Sequence, residues 1–305
     1  MPKRRSTKAG RKPKRQRARR VWISVLNVKA EPHELVRYRE LFLMAHAQPK
    51  PVRYFGDRSA IIGSLSDIDR KLFGEVFTFS KINVRGAWLD LLKKKQASEE
   101  DIEKNVSIPE HLMPHYKKFA FVFFPEDHRL VVDATTTSAR TSRYVVELLL
   151  NKARTSLKGI GTVEIDIEQD AGQLDKFWKL KRIDWLRIRI SRPNPTDLSS
   201  LEGKFKKRLQ EQAAGTWIEE LEADQDESGL KPNRDTKAAA TVAASNGGVD
   251  ISGRGDNNRR VKDSTEDHPI RQQQIWDPNR ETFFQFLDKI GTKIVQGIVK
   301  RLQKK

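Results

Sequence analysis

Residues 119–134 read FAFVFF-PEDH-RLVVDA, and this stretch decides what kind of fold the chain can adopt. An unbroken apolar run, a four-residue polar break and a second apolar run predict a β-hairpin. Arms that are apolar on both alternating faces must be covered from both sides, so the hairpin is expected at the centre of the core. Its turn carries Glu126, Asp127 and His128. A turn histidine is ordinarily exposed, and His128 is the one hairpin position left open for a functional role.

Upstream, VWISVLNV at 21–28 predicts a second buried strand. Leu35, Tyr38, Leu41, Phe42 and Ala45 then share a helical stripe over 34–47, ended by Pro49 and Pro51. Short strands are expected at 52–55, 59–65 and 73–82, and a short helix within 85–96. Ser98 with Glu99, Glu100 and Asp101 reads as a helix start whose acids complement the helix dipole. The connection IPEHLMPHYKKF holds two prolines and is expected to be extended. Pro114 breaks the helix that would align His111 with His115, so these are loop histidines and not a zinc pair.

Downstream, the threonines and serine at 135–138 offer N-caps for a helix over 139–152. In VEIDIE, Val163, Ile165 and Ile167 are expected to face inward, and Glu164, Asp166 and Glu168 outward. A short helix through Leu174, Phe177 and Trp178 leads to IDWLRIRI. There Leu186, Ile188 and Ile190 form the inward set, with Trp185, Arg187 and Arg189 opposite. Thr196 or Asp197 is expected to cap a basic helix carrying Lys204, Lys206, Lys207 and Arg208. Residues 222–236 read as a linker, and Asn246-Gly247-Gly248 as the turn of a late hairpin. Residues 253–269 read as a loop. An amphipathic helix closes the chain, with Phe283, Phe284, Leu287, Ile290, Ile294, Ile298 and Leu302 along one side. That stripe would either cover its own sheet or pair with its copy in a homodimer. The expected class is α+β: a mixed, mostly antiparallel sheet with packed helices and a disordered basic N-terminal arm. The expected parts are 1–20, 21–221 and 222–305.

Composition narrows the function. The 305 residues include no cysteine, which excludes disulfides, thiolate metal sites and cysteine nucleophiles and suits a reducing cytoplasm. No window approaches the ~18 consecutive apolar residues of a transmembrane helix, and the cationic start lacks the apolar segment of a secretory signal. Of the net charge of +18, eleven units sit in residues 1–20, which contain no acid. They are Lys3, Arg4, Arg5, Lys8, Arg11, Lys12, Lys14, Arg15, Arg17, Arg19 and Arg20. Such an arm releases counterions when it lies along phosphates, which gives salt-sensitive affinity with no sequence reading. Nucleic acid is the expected partner. Membrane insertion is not expected, because the arm has no apolar side chain to insert.

Enzyme signatures are thin. The chain has no phosphate-binding glycine loop, nucleophile elbow or HExxH motif, so no catalytic residue, metal or cofactor is assigned. The carboxylates Asp166 and Glu168 could serve a metal-dependent nuclease. If the two neighbouring strands pair, however, they form a charge ladder with Arg187 and Arg189. On the basic side, Arg182, Trp185, Arg187 and Arg189, followed by Lys206, Lys207 and Arg208, suit phosphate pairing and base stacking. The same residues also read as a solvated sheet face. A third possibility is an adaptor that recruits a protein through the C-terminal helix.

The IPE-x-L-x-P-x-Y connection at 108–116, the FVF hairpin with a histidine at its turn, the paired strands ending RPNPTD at 192–197 and the late small-residue hairpin together resemble a family of uncharacterised bacterial mobile-element proteins. The layout also resembles the RexA type of phage-exclusion protein, which binds DNA as a dimer. The resemblance spans most of 21–290 and transfers no catalytic residue. It implies a cytoplasmic DNA-binding defence or exclusion factor. The arginine-rich arm lies outside it.

Overall fold

The apolar strands of the hairpin need cover on both faces, and two separate helical layers supply it. The structure is a computed structural model and describes residues 16–303 apart from 33, 85, 110, 171, 194–199 and 225–227. The chain begins with β1 (Arg19–Lys29), α1 (Leu35–Ala47), β2 (Val52–Phe55), β3 (Arg58–Ile68) and β4 (Lys71–Ser80). An excursion holds β5 (Leu89–Asp90), β6 (Lys95–Gln96) and α2 (Glu99–Asn105). The central hairpin is β7 (Lys117–Phe124) and β8 (Arg129–Asp133), followed by α3 (Ala139–Arg154), β9 (Glu164–Ile167) and α4 (Gly172–Phe177). Then come β10 (Arg182–Ser191), α5 (Ser200–Glu211), β11 (Thr216–Glu222), α6 (Arg234–Asn246), β12 (Gly247–Arg254) and β13 (Arg260–Ser264). The last elements are β14 (Arg271–Trp276) and α7 (Phe283–Gln303).

Eight strands form one sheet in the order β14-β1-β8-β7-β4-β3-β2, with β9 alongside the second half of β1. A second sheet runs β11-β10-β12-β13. The fold is α+β as expected, and the sheet expected to be mixed but mostly antiparallel is antiparallel in every ladder.

Alternation sorts the central strands between two cores. Phe119, Phe121, Phe123, Leu130 and Val132 join Tyr38 and Phe42 of α1 and Val145, Val146 and Leu149 of α3. Ala120, Val122, Phe124 and Val131 face the other way, onto Phe286, Leu287, Val295 and Ile298 of α7. Phe42 stacks on Phe123 at 4.6 Å between centroids. The Phe121 ring crosses Gly74 so closely that a Cβ there would lie 2.4 Å from it. In the second sheet Leu186, Ile188 and Ile190 pack beneath Ala239, Ala240 and Ala243 of α6.

The N-caps read from sequence are present at Ser98 and Ser138. The Thr196 or Asp197 cap lies outside the described residues. The helix expected within 85–96 is instead the β5–β6 hairpin. Asp90 Oδ1 accepts from the backbone N–H of Leu92 (2.9 Å) and Lys93 (3.0 Å), and Lys94 takes φ +50°. That local turn competes successfully with helical hydrogen bonding. The late hairpin at Asn246-Gly247-Gly248 is a helix-to-strand junction: Asn233 caps α6, whose alanines permit close approach to β10 and β12. Residues 253–269 contain β13, not a loop, and β11 and β14 were not expected at all.

The boundaries shift accordingly. Strand β1 already begins at Arg19, inside the expected arm. The division at 221/222 cuts a sheet, because β12 pairs with β10 while β14 and α7 belong to the first sheet.

Candidate nucleic-acid interface

Of the basic residues singled out in the arm, Arg4, Arg5, Arg11, Lys12, Lys14 and Arg15 lie outside the described residues. Arg17, Arg19 and Arg20 are exposed at its root. The root is tied down, because Asn279 Nδ2 donates to the Gln16 carbonyl (2.7 Å) and the Gln16 N–H donates to Asn279 Oδ1 (3.1 Å). From there the chain enters β1 beside the edge strand β14, with Arg19 opposite Trp276, Arg20 opposite Ile275 and Trp22 opposite Gln273.

Antiparallel pairing therefore interleaves cations with indoles at this edge. The Arg271 guanidinium sits 4.1 Å from the centroid of Trp22, and that of Arg19 5.9 Å from Trp276. Such contacts are electrostatic attractions to the ring face. Trp276 is held by an edge contact to Phe283 (4.9 Å) and by its indole N–H donating to the Glu281 carbonyl (3.0 Å). Neither β1 nor β14 contains an acidic residue. Sequence reasoning missed Trp22, Arg271 and Trp276, because the stripe forms only when two distant strands align.

The second expected surface is charge-compensated. Arg187 of β10 lies between Glu220 of β11 and Asp250 of β12 in the register, and its Nε is 3.9 Å from Glu220 Oε2. Arg189 pairs with Glu266 (2.6 Å) and Arg182 with Asp184 (2.6 Å). The Trp185 indole donates to Glu220 Oε1 (2.9 Å). The acids that compensate this row come from β11 and β12, from β10 itself and from the turn after β13, so it is not an open basic face. On α5, Lys206 is half-buried, while Lys207 and Arg208 are exposed. Lys207 lies 3.7 Å from Glu211, and Arg208 caps the Trp217 ring at 5.8 Å.

Asp166 and Glu168 were expected to face solvent, forming a charge ladder with Arg187 and Arg189 if their two strands paired. Strand β9 instead pairs with β1, and of its outer row Glu164 stays exposed while Ser191 of β10 and Ser245 of α6 cover Asp166 and Glu168. Both carboxylates are sealed, at 5% and 0% exposure, in a polar seam between the sheets. Asp166 pairs with Lys29 and accepts from the Ser191 hydroxyl (3.0 Å). Glu168 meets Arg129 (2.7 Å) and Arg301 (3.4 Å) and accepts from the Ser245 hydroxyl (3.1 Å). Asn27 Nδ2 donates to the Ser245 carbonyl (2.9 Å), and Arg129 donates to Asn27 Oδ1 (2.8 Å).

Burial would raise the Asp166 carboxyl, but the Lys29 ammonium and its hydrogen bond, Arg189 and Ser191 together outweigh it. They hold the group below the ordinary carboxylate range. A divalent cation here would have to displace Lys29 and Arg129. Among the described residues no group of three or more His, Asp or Glu side chains could hold a metal ion. His128 is likewise not an exposed tip: it is 2% exposed, in the left-handed region (φ +54°), its ring edge-on to Tyr38 at 4.7 Å.

The family described as "Domain of unknown function (DUF4747)" matches residues 19–292, and the chain belongs to it. The matched span takes in both sheets, the β1–β14 edge and the seam apart from Arg301, and it begins at the start of β1. No curated protein matches the chain. No helix among the described residues is long and apolar enough to cross a membrane.

Proposed function

We propose that this protein binds nucleic acid, with double-stranded DNA as its ligand, through the basic arm and the β1–β14 edge from which the arm departs. One observation carries the reading. Eleven cations without an acid in residues 1–20 run directly into an acid-free edge where Trp22 and Arg271 stack. The arm supplies affinity by releasing counterions from the phosphates. The edge orients the ligand, since indole faces and guanidiniums accept bases and phosphates together. A cytoplasmic role in phage defence or exclusion is the biological setting that the resemblance suggests for such binding.

Fluorescence anisotropy of the full chain and of a variant lacking residues 1–18, at several salt concentrations, tests it. Duplex DNA, single-stranded DNA and RNA of one sequence serve as ligands. The expected result is a large loss of affinity and a shallower salt dependence on truncation. An unchanged affinity and slope would overturn the reading, and a preference for either competitor would reassign the ligand.

A further inference from the structure

Toward its β2 edge, the face of the first sheet that α1 and α3 cover turns from apolar to cationic. On β7, Phe121 and Phe119 give way to Lys117; on β3, Ala60 gives way to Arg58; on β4, Val76 gives way to Thr78 and Ser80. Antiparallel pairing sets Arg58 opposite Ser80 and Lys117 opposite Thr78, so the two cations flank β4 on a shared face. Two strand spacings separate their backbones by roughly 10 Å, a span that two long side chains can close onto one anion.

A hollow of about 330 Å³ opens at this place, lined by Tyr54, Arg58, Thr78, Ser80, His115 and Lys117, and no carboxylate lines it. Arg58 and Lys117 are exposed, and neither has an ion pair among the described residues. The opposite face of β7 shows the contrast, because Lys118 there is tied to Glu75 at 2.6 Å. The connection before β7 is held against β4, with the Ser80 N–H donating to the Pro114 carbonyl (2.9 Å). His115 follows in the left-handed region (φ +57°), and its Nδ1 lies 3.2 Å from the Ser80 hydroxyl. Its Nε2 has no partner among the described residues. Tyr54, packed against the core beneath α1 and α3, gives the hollow an aromatic wall.

Cations without acids select an anion. Two cations, an imidazole and two hydroxyls suit a phosphate monoester, which offers about two negative charges and several strong acceptor oxygens. The tyrosine wall gives a planar ring a surface to lie on. The volume falls at the lower end of the ~300–1,000 Å³ of small-molecule sites, which fits one nucleotide and not a dinucleotide. We propose that this hollow binds a nucleoside monophosphate, its phosphate held between Arg58 and Lys117 and its base against Tyr54. His115 and the Thr78 and Ser80 hydroxyls supply the remaining hydrogen bonds. The site lies toward the β2 edge of the first sheet, opposite the β14 edge, so the inference does not rest on the nucleic-acid reading.

Isothermal titration calorimetry of the full chain with adenosine, guanosine, cytidine and uridine monophosphates, their nucleosides and inorganic phosphate tests it. At least one mononucleotide should bind, at least about tenfold more tightly than its own nucleoside or inorganic phosphate. Arg58→Ala and Lys117→Ala should each weaken it at least about tenfold, with circular dichroism unchanged. Lys118→Ala removes a cation from the adjacent position on the other face and should have no effect. Absence of mononucleotide binding at millimolar concentration overturns the proposal. So does inorganic phosphate that binds as well as the nucleotides, which would leave a simple anion site. Binding that survives the loss of Arg58 and Lys117, or that Lys118→Ala weakens equally, also overturns it and assigns the affinity to general surface charge.

Discussion

Arg129 Nε lies 2.7 Å from Glu168 Oε1, with both side chains sealed between the two sheets at 1% and 0% exposure. One belongs to the central hairpin and the other to the segment leaving β9, both in the first sheet, and the Ser245 hydroxyl of α6 donates to Glu168 from the side of the second sheet. Around it, Asn27 accepts from Arg129, and the Ser245 hydroxyl donates to Glu168 and accepts from Arg301. A buried pair of this kind is weak evidence of net stability, but breaking one half of it is costly.

Glu168→Leu would leave the Arg129 guanidinium buried without its carboxylate, at a cost of about 3–5 kcal/mol. Adding Arg129→Met should recover much of that loss, because an apolar pair of similar volume needs no charge compensation. Urea denaturation of the three variants measures it. A Glu168→Leu protein as stable as the parent would mean that water reaches the seam.

Asp166 titrates below the ordinary carboxylate range, facing Lys29, Arg189 and Ser191. A depressed folded pKa means that the unfolded chain binds the proton first. The stabilisation is therefore complete above about pH 4, the ordinary aspartate value, and disappears as pH falls through the folded pKa. Thermal unfolding of the parent should steepen its decline in that acid window. Asp166→Asn should be less stable at neutral pH and should follow a flatter curve on acidification.

Two glycines should respond in opposite directions. A Cβ on Gly247 would lie 1.9 Å from the Arg189 carbonyl oxygen, backbone against backbone inside the β10–β12 ladder. Gly247→Ala should therefore cost at least the roughly 1–3 kcal/mol typical of overpacking. Gly297 in α7 has nothing within 4 Å of such an atom. Gly297→Ala should stabilise by about 0.5–1 kcal/mol, the helix-interior difference between the two residues. Melting temperatures read both signs.

Trp22→Ala with Arg271→Ala should weaken duplex DNA binding by several-fold while leaving the salt slope set by the arm largely in place. Arg187→Ala should have little effect, because Glu220 and Asp250 already flank that guanidinium. Anisotropy titrations of the two variants in parallel separate the edge from the compensated row. Equal losses would show that β10 also meets the ligand.

The core was legible because alternation is a local property. FAFVFF and VWISVLNV carry their burial in the identity of adjacent residues, and the strands at 52–55 and 73–82 follow the same rule. Local reading failed where small or polar residues left the choice to context. AAATVAA is α6 because a sheet lies beneath it to receive its alanines. The RQQQIW of β14 is a strand because β1 offers an open edge. The candidate site divides the same way: the arm stands out in the sequence, while the Trp22–Arg271 stack does not.

By itself the sequence determined the α+β class, the two-faced central hairpin and the concentration of charge at the N-terminus. Each follows from side-chain type and short-range period. Only the tertiary structure decided the fate of the charged residues on β9 and β10. Alternating acids look solvated until another sheet covers Asp166 and Glu168, and Asp166 finds Lys29 from 137 positions away. Period-two alternation says which residues share a face. Whether that face meets water or another sheet depends on packing between segments far apart in the chain, and that packing turned expected surface charges into a buried seam.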